Sequence, residues 1–297
     1  MSAVSPTTAP DFPADLAIVD AHVHLWDPTH FAMLWLADDP TIGVPFGPVE
    51  FREHTLGVPV EAYVYLEVDV APHYALLEVE WAVARAAEDP RLAAIVAHAP
   101  VEYGARCRAY LDALIAISPL VKGVRRLIQG EPDPDFCLRP EFIHGVKLLP
   151  DYGLSFDLCI THTQLPSVIG LVRQCPEVDF VLDHIGKPDI AAHLLDPWRE
   201  GIRDLAQFPN VSCKISGMVT EADHAHWTPD DLAPYVAHVL ASFGEDRVLF
   251  GGDWPVALRA STYSRWIETL AALTADLSDT AKHKLWANNT RRFYHIA

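Results

Sequence analysis

The residues best suited to chemistry fall in three short stretches. Val19-Asp20-Ala21-His22-Val23-His24 carries two histidines two residues apart. Phe180-Val181-Leu182-Asp183-His184-Ile185-Gly186-Lys187-Pro188 carries a third, and Leu249-Phe250-Gly251-Gly252-Asp253-Trp254-Pro255 carries an aspartate. On an extended strand a spacing of two puts both imidazoles on one face. There they either share a metal ion or jointly polarise a carbonyl oxygen. His184 and Asp253 each follow a short apolar run, the position of a strand end. A carboxylate among imidazoles either ligates a metal or takes a proton from water. The expected catalytic set is therefore Asp253, His22, His24 and His184, and the same four residues are the expected ligands if a single divalent ion is bound.

Such stretches need a scaffold that gathers strand ends. Eight apolar runs stand out: Ala17–Val23, Ala62–Val68, Leu92–Ala97, Val121–Leu127, Leu154–Ile160, Asp179–Leu182, Val211–Ile215 and Arg247–Phe250. Most are nearly continuous, as in parallel strands covered on both faces. Seven are followed by helical periodicity, clearest at Leu232, Tyr235, Val236, Val239, Leu240 and Phe243. This alternation predicts an α/β fold, a (β/α)8 TIM barrel. A doubly wound sheet is weakened because no G-x-G-x-x-G follows the first run. Closure of a barrel puts the first and eighth strands side by side, and so brings Asp253 to His22 and His24.

Three long loops, 25–59, 128–140 and 217–229, are expected on the C-terminal face, where barrel enzymes build their sites. The first is long enough to lie over the mouth as a lid or wall. Residues 1–16 read as an N-terminal tail, Ser278–Tyr294 as a closing helix, and the 297 residues as one domain.

Composition narrows the partners. With 22 basic and 40 acidic residues the formal charge is −18, which repels phosphate backbones and anionic membranes. Neither nucleic acid nor membrane is expected; a homo-oligomer stays open. The odd number of cysteines, five, with no C-x-x-C pair, suggests free thiols in a reducing compartment. With no signal-peptide pattern at the N-terminus, the expected location is cytoplasmic.

The ordered motifs VDAHVHLWDP, GVRRLIQGEPDPDF, LSFDL, FVLDHIGKP, VSCKISG and FGGDWP resemble the amidohydrolase superfamily, in particular its lactonase branch of fuconolactonases, rhamnonolactonases and sulfomuconolactone hydrolases. The resemblance covers residues 18–257. It implies a distorted (β/α)8 barrel that adds water to a cyclic ester. It also implies that no cofactor is strictly required, or that one divalent ion, zinc or manganese, is held by His22, His24, His184 and Asp253. Metal-rich relatives place a bridging lysine after the fourth strand, where this chain has Val124-Arg125-Arg126; a two-metal centre is not expected.

Around that set lie weaker candidates. Arg125 contacts the lactone or pairs with Glu67. Asp157 faces inward or makes a structural hydrogen bond. Lys214, a cation inside a barrel, is too costly to be unpaired; it stabilises charge in the site or pairs with Asp157 or Asp183. Trp26 stacks on a sugar face or packs in the core. Together with His162 and Glu67 these make the expected substrate-binding set, while His224 and His226 sit on a mouth-side loop. The expected reaction is hydrolysis of a small-molecule lactone, an aldonolactone such as L-fucono- or L-rhamnono-lactone, with Asp253 activating water. The alternatives are a sulfomuconolactone-type substrate, a metal-dependent decarboxylase and a non-catalytic sugar-acid binding protein.

Overall fold

The computed structural model of the chain describes residues 16–36 and 39–297, so all of the expected tail except Leu16 lies outside the described residues. Eight parallel strands form one sheet in sequence order: β1 (Ile18–Val23), β2 (Val60–Leu66), β3 (Leu92–His98), β4 (Val121–Arg125), β5 (Ser155–Leu158), β6 (Phe180–Leu182), β7 (Val211–Ile215) and β8 (Val248–Phe250). Each lies within an expected run or overlaps it closely. The α-helices are α1 (Pro48–His54), α2 (Ala75–Glu88), α3 (Cys107–Ile117), α4 (Pro140–Val146), α5 (Leu165–Gln174), α6 (Trp198–Leu205), α7 (Pro229–Phe243), α8 (Tyr263–Leu273), α9 (Asp279–His283) and α10 (Asn289–Phe293). None of the described helices is long and apolar enough to cross a membrane.

The architecture is a nearly closed (β/α)8 TIM barrel. Its seam joins β8 to β1 only at their C-terminal ends. There the His24 amide donates to Trp254 O at 2.7 Å and the Asp253 amide to His22 O at 2.8 Å. These two bonds hold the aspartate segment against the histidine strand.

Apolar side chains fill two shells. One lies between strands and helices, and a smaller one fills the barrel interior with Ala21, Val64, Leu66, Ala94, Val96, Val181, Leu249 and Tyr294. Tyr294 follows α10, so the chain's end plugs the barrel. The closing helix runs without a gap but carries a π-helical turn, Lys284–Asn288, between α9 and α10.

A register shift decides which way the first histidines face. If Val19 and Ala21 point inward, simple alternation turns His22 outward. Between Asp20 and Val23, however, β1 advances three residues while β2 advances only from Tyr63 to Tyr65. The bulge absorbs the extra residue and re-aims the rest of the strand. His22 and His24 then both face the site.

Candidate active site

Three imidazoles converge on one carboxylate oxygen at the barrel mouth. Asp253 Oδ1 lies 3.8 Å from His22 Nε2, 3.7 Å from His24 Nε2 and 3.9 Å from His184 Nε2. The four residues come from three strand ends, those of β1, β6 and β8, and the tight packing follows from glycines. A Cβ at Gly251 would come within 2.9 Å of His22 Cβ, and one at Gly217 within 2.4 Å of His184 Nδ1. The backbone at Gly217, with φ +61°, also favours glycine. Asp253 itself is left-handed, φ 52°, a conformation that non-glycine residues adopt rarely and mostly at functional positions.

Burial sets the protonation of the group. It pushes Asp253 up to about 7, even though Lys187 and Arg125 pull it down. It also holds His24 near 3, helped by Arg125, and keeps His22 and His184 well below the ordinary histidine value. The imidazoles are therefore neutral. His24 Nδ1–H donates to Leu66 O at 3.0 Å, which leaves Nε2 as a lone pair facing His22 Nε2 at 3.1 Å. A proton on His22 Nε2, donated to His24 Nε2, or a cation between the two nitrogens makes this approach favourable; with both bare they would repel.

That geometry fits one divalent metal ion. His22, His184 and Asp253 offer ligand atoms within 4.8 Å of one another, and His24 Nε2 faces the same point. The far ring nitrogens have outer partners: Leu66 O for His24 and Ser216 Oγ at 3.0 Å for His184, while His22 Nδ1 lies 3.3 Å from both Asp183 Oδ1 and Lys214 Nζ. Arg125 Nη1 lies 3.5 Å from His22 Nε2, a fixed positive charge that leaves the set suited to one ion and not two.

Below the site is a buried ladder of charge. Lys214 Nζ bonds Asp157 Oδ2 at 2.6 Å and Asp183 Oδ1 at 2.9 Å. Arg125 bonds Glu67 Oε1 at 2.6 Å and Asp183 Oδ2 at 3.2 Å, and Tyr294 donates its hydroxyl to Asp157 Oδ2 at 2.7 Å. Although burial opposes it, Lys214, His22 and Arg125 hold Asp183 well below the carboxylate range, while burial lifts Asp157 to about 6.

A cavity of about 190 Å³ opens above this group, small beside the roughly 300–1,000 Å³ of sites for drug-sized ligands. Its deep wall includes His24, Arg125, His184 and Asp253, and its outer wall includes Trp35, Asp69, Gln129, Lys187, Thr220 and Arg259. Of the expected substrate-binding set, only Arg125 is on this wall. Glu67, Asp157 and Lys214 lie behind it as the ladder. Trp26 is buried, donates to Ile42 O and Val44 O, and packs edge-on against Trp35. His162 bonds Lys187 O through Nδ1 at 2.9 Å. His224 and His226 are exposed, and neither is on the cavity wall.

Residues not singled out from the sequence include Trp35, Asp69 and Asp183 as the partner of His22. Asp183 carried a signal: Val181 faces inward, so alternation turns Asp183 inward as well. Lys187 sat in the quoted HIGKP motif but a left-handed turn, invisible to periodicity, aims it. Trp35 and Asp69 left no pattern that could have found them.

The chain is similar to known proteins over most of its length. The family model described as amidohydrolase matches residues 19–296. An L-fucono-1,5-lactonase of Burkholderia ambifaria is 33% identical over 62% of this chain and 64% of its own length, just under two thirds. The y4mH protein of Sinorhizobium fredii is 27% identical over 95% of this chain and 100% of its own. A crystal structure of a Burkholderia multivorans amidohydrolase with bound zinc superposes with a TM-score of 0.85 at 25% identity, over 95% of this chain and 100% of that one.

Proposed function

Because this chain belongs to the amidohydrolase family, we propose that it is a lactone hydrolase that opens a neutral sugar lactone to its sugar acid. The observation that carries the reading is the convergence of His22, His24 and His184 on the buried Asp253, whose pKa near 7 suits a base working at neutral pH. The relative named L-fucono-1,5-lactonase supports the choice of a cyclic ester.

Asp253 takes a proton from water as the water oxygen bonds the lactone carbonyl carbon, and the carbonyl electron pair moves onto oxygen. When the ring C–O bond breaks, the Asp253 carboxyl returns that proton to the departing alkoxide, so atoms and charge balance. One divalent ion held by His22, His24, His184 and Asp253 would supply Lewis-acid polarisation of the carbonyl. Asp183 orients His22, and Leu66 O orients His24.

Charge supports a neutral substrate over a sulfonated one. Both arginines on the cavity wall are already tied to a carboxylate, Arg125 to Glu67 and Arg259 to Asp39. Asp69, Gln129 and Thr220 offer hydrogen-bonding groups for ring hydroxyls, and Trp35, in place of Trp26, offers an apolar face. The five free, buried thiols fit a cytoplasmic setting.

A pH-indicator assay against a panel of aldonolactones, with and without chelator and with spontaneous hydrolysis subtracted, tests the proposal. Turnover of at least one aldonolactone is expected. Asp253→Asn should abolish it while melting no lower than wild type at pH 8, since burial already disfavours the charged form. No turnover on the panel, or near-normal turnover by the variant, refutes the reading.

A further inference from the structure

Residues 184–187, just after β6, run left-handed. Their φ angles are 54° at His184, 49° at Ile185, 75° at Gly186 and 49° at Lys187. Glycine is at ease there, but each of the others costs roughly 1–2 kcal/mol, and a β-branched residue such as Ile185 is an outlier. The turn is held from several sides. Trp198 Nε1–H donates to Ile185 O at 2.7 Å, His162 Nδ1–H to Lys187 O at 2.9 Å, and the Lys187 amide to His184 O at 2.9 Å. The outcome of this strained, braced turn is that both His184 and Lys187 enter the same cavity.

Lys187 differs from the other cations on that wall. Arg125 spends three of its five donors, on Glu67 Oε1 and Glu67 O, both at 2.6 Å, and on Asp183 at 3.2 Å. Arg259 is held by Asp39 at 2.8 Å. Among the described residues the Lys187 ammonium has Glu221 Oε1 at 3.7 Å, beyond hydrogen-bond range, and no closer polar partner. Its three donors are unspent.

Lys187 carries the one ammonium among the described residues of the cavity wall. His24 has given its Nδ1 proton to Leu66 O, so its inward nitrogen accepts and does not donate. A developing oxyanion needs donors placed in advance.

We propose that Lys187 is a catalytic residue, its Nζ donating a hydrogen bond to the carbonyl oxygen of the bound lactone, to the oxyanion formed from it, and then to the carboxylate of the product. This rests on the lactonase reading above. Lys187 keeps its protons throughout; the proton that moves is the one carried by Asp253. Burial works against the lysine's charge, but Cys159, Glu221 and Asp253 together outweigh it.

Three variants and two readouts test the assignment. Lys187→Ala and Lys187→Met should lower kcat by about 10²–10³-fold, the usual cost of one oxyanion donor, with little change in KM or melting temperature. Lys187→Arg should retain more activity than either. Ethylammonium chloride should partly restore Lys187→Ala, whereas sodium chloride at equal ionic strength should not. In the second readout, calorimetric titration with L-fuconate should show affinity falling about tenfold or more in Lys187→Met, as expected for a hydrogen bond to a charged group. A kcat near wild type in Lys187→Ala, or a loss that ethylammonium does not relieve beyond salt, overturns the proposal. If the wild-type protein opens no lactone, the lactonase reading falls and the fuconate titration alone decides the lysine. Equal binding by both proteins, or none by wild type, then overturns the assignment.

Discussion

Replacing Lys214 by methionine should remove the one cation that two fully buried carboxylates share. Lys214 Nζ lies 2.6 Å from Asp157 Oδ2 and 2.9 Å from Asp183 Oδ1, and all three side chains are completely buried. Methionine preserves most of the volume, so the loss is electrostatic and not a cavity. Breaking a buried ion pair from one side costs about 3–5 kcal/mol because a charge is left uncompensated. For a domain of this size that corresponds to a fall in melting temperature of roughly 5–8 °C.

The deficit should depend on pH in a definite direction. Burial already raises Asp157 to about 6 in the wild-type protein, against the pull of Lys214, and without the lysine it rises further. An acid with a raised folded-state pKa contributes stability that is present below its unfolded value and lost as pH climbs through its folded value. Lys214→Met should therefore be much closer to wild type at pH 5 than at pH 8. The double variant Lys214→Met/Asp157→Asn, which removes one charge of each sign, should recover most of the loss. Thermal melts followed by circular dichroism at the two pH values would decide the matter. A deficit below about 1 kcal/mol, typical of unremarkable surface changes, or a double variant no better than the single one, would refute the view that this ladder is a compensated charge network.

Other expectations follow from single contacts. Gly217→Ala puts a Cβ 2.4 Å from His184 Nδ1, so the ring must move by about 1 Å and kcat/KM should fall on the order of 10²-fold; unchanged activity would dissociate His184 from the reaction. Zinc titrated calorimetrically into chelator-treated protein should bind with a stoichiometry near one, weakened at least tenfold by His24→Gln; two equivalents would rule out the single-ion site. Buried Glu78, lifted by burial to about 8, accepts from the Tyr65 hydroxyl and the Val68 amide through Oε1, while Oε2 has no hydrogen-bond partner. Its contribution to stability is present below about 4.5 and lost as pH rises toward 8, so Glu78→Gln should flatten that decline by about 2–4 kcal/mol. Parallel wild-type and variant melts between pH 5 and 9 would contradict this.

The fold and the four central residues were legible because both leave local marks. A strand buried on two faces must be apolar nearly throughout, and each of the eight strands of this barrel declared itself that way. A histidine or aspartate just after such a run lies at the barrel mouth whatever its tertiary partners are, so strand order alone brought His22, His24, His184 and Asp253 together. The two-residue spacing of His22 and His24 put them on one face, although the bulge after Asp20 decided that this face was the inner one.

What the side chains touch depended on residues far apart in the chain. Lys214 could have stabilised charge in the site or paired structurally; contacts with Asp157 and Asp183, 57 and 31 positions away, set it behind the cavity wall. Trp26 and Trp35 lie in the same loop, and only packing determined that Trp35 reaches the cavity while Trp26 supports it. His162 and Lys187 meet because a left-handed turn offers the lysine carbonyl to the imidazole. The sequence alone thus determined the barrel and which strand ends carry reactive groups, because burial and alternation act within a few residues. Which of those groups face substrate, and which hold the others in place, was decided by the tertiary structure, because hydrogen bonds and ion pairs between distant segments have no periodicity to read.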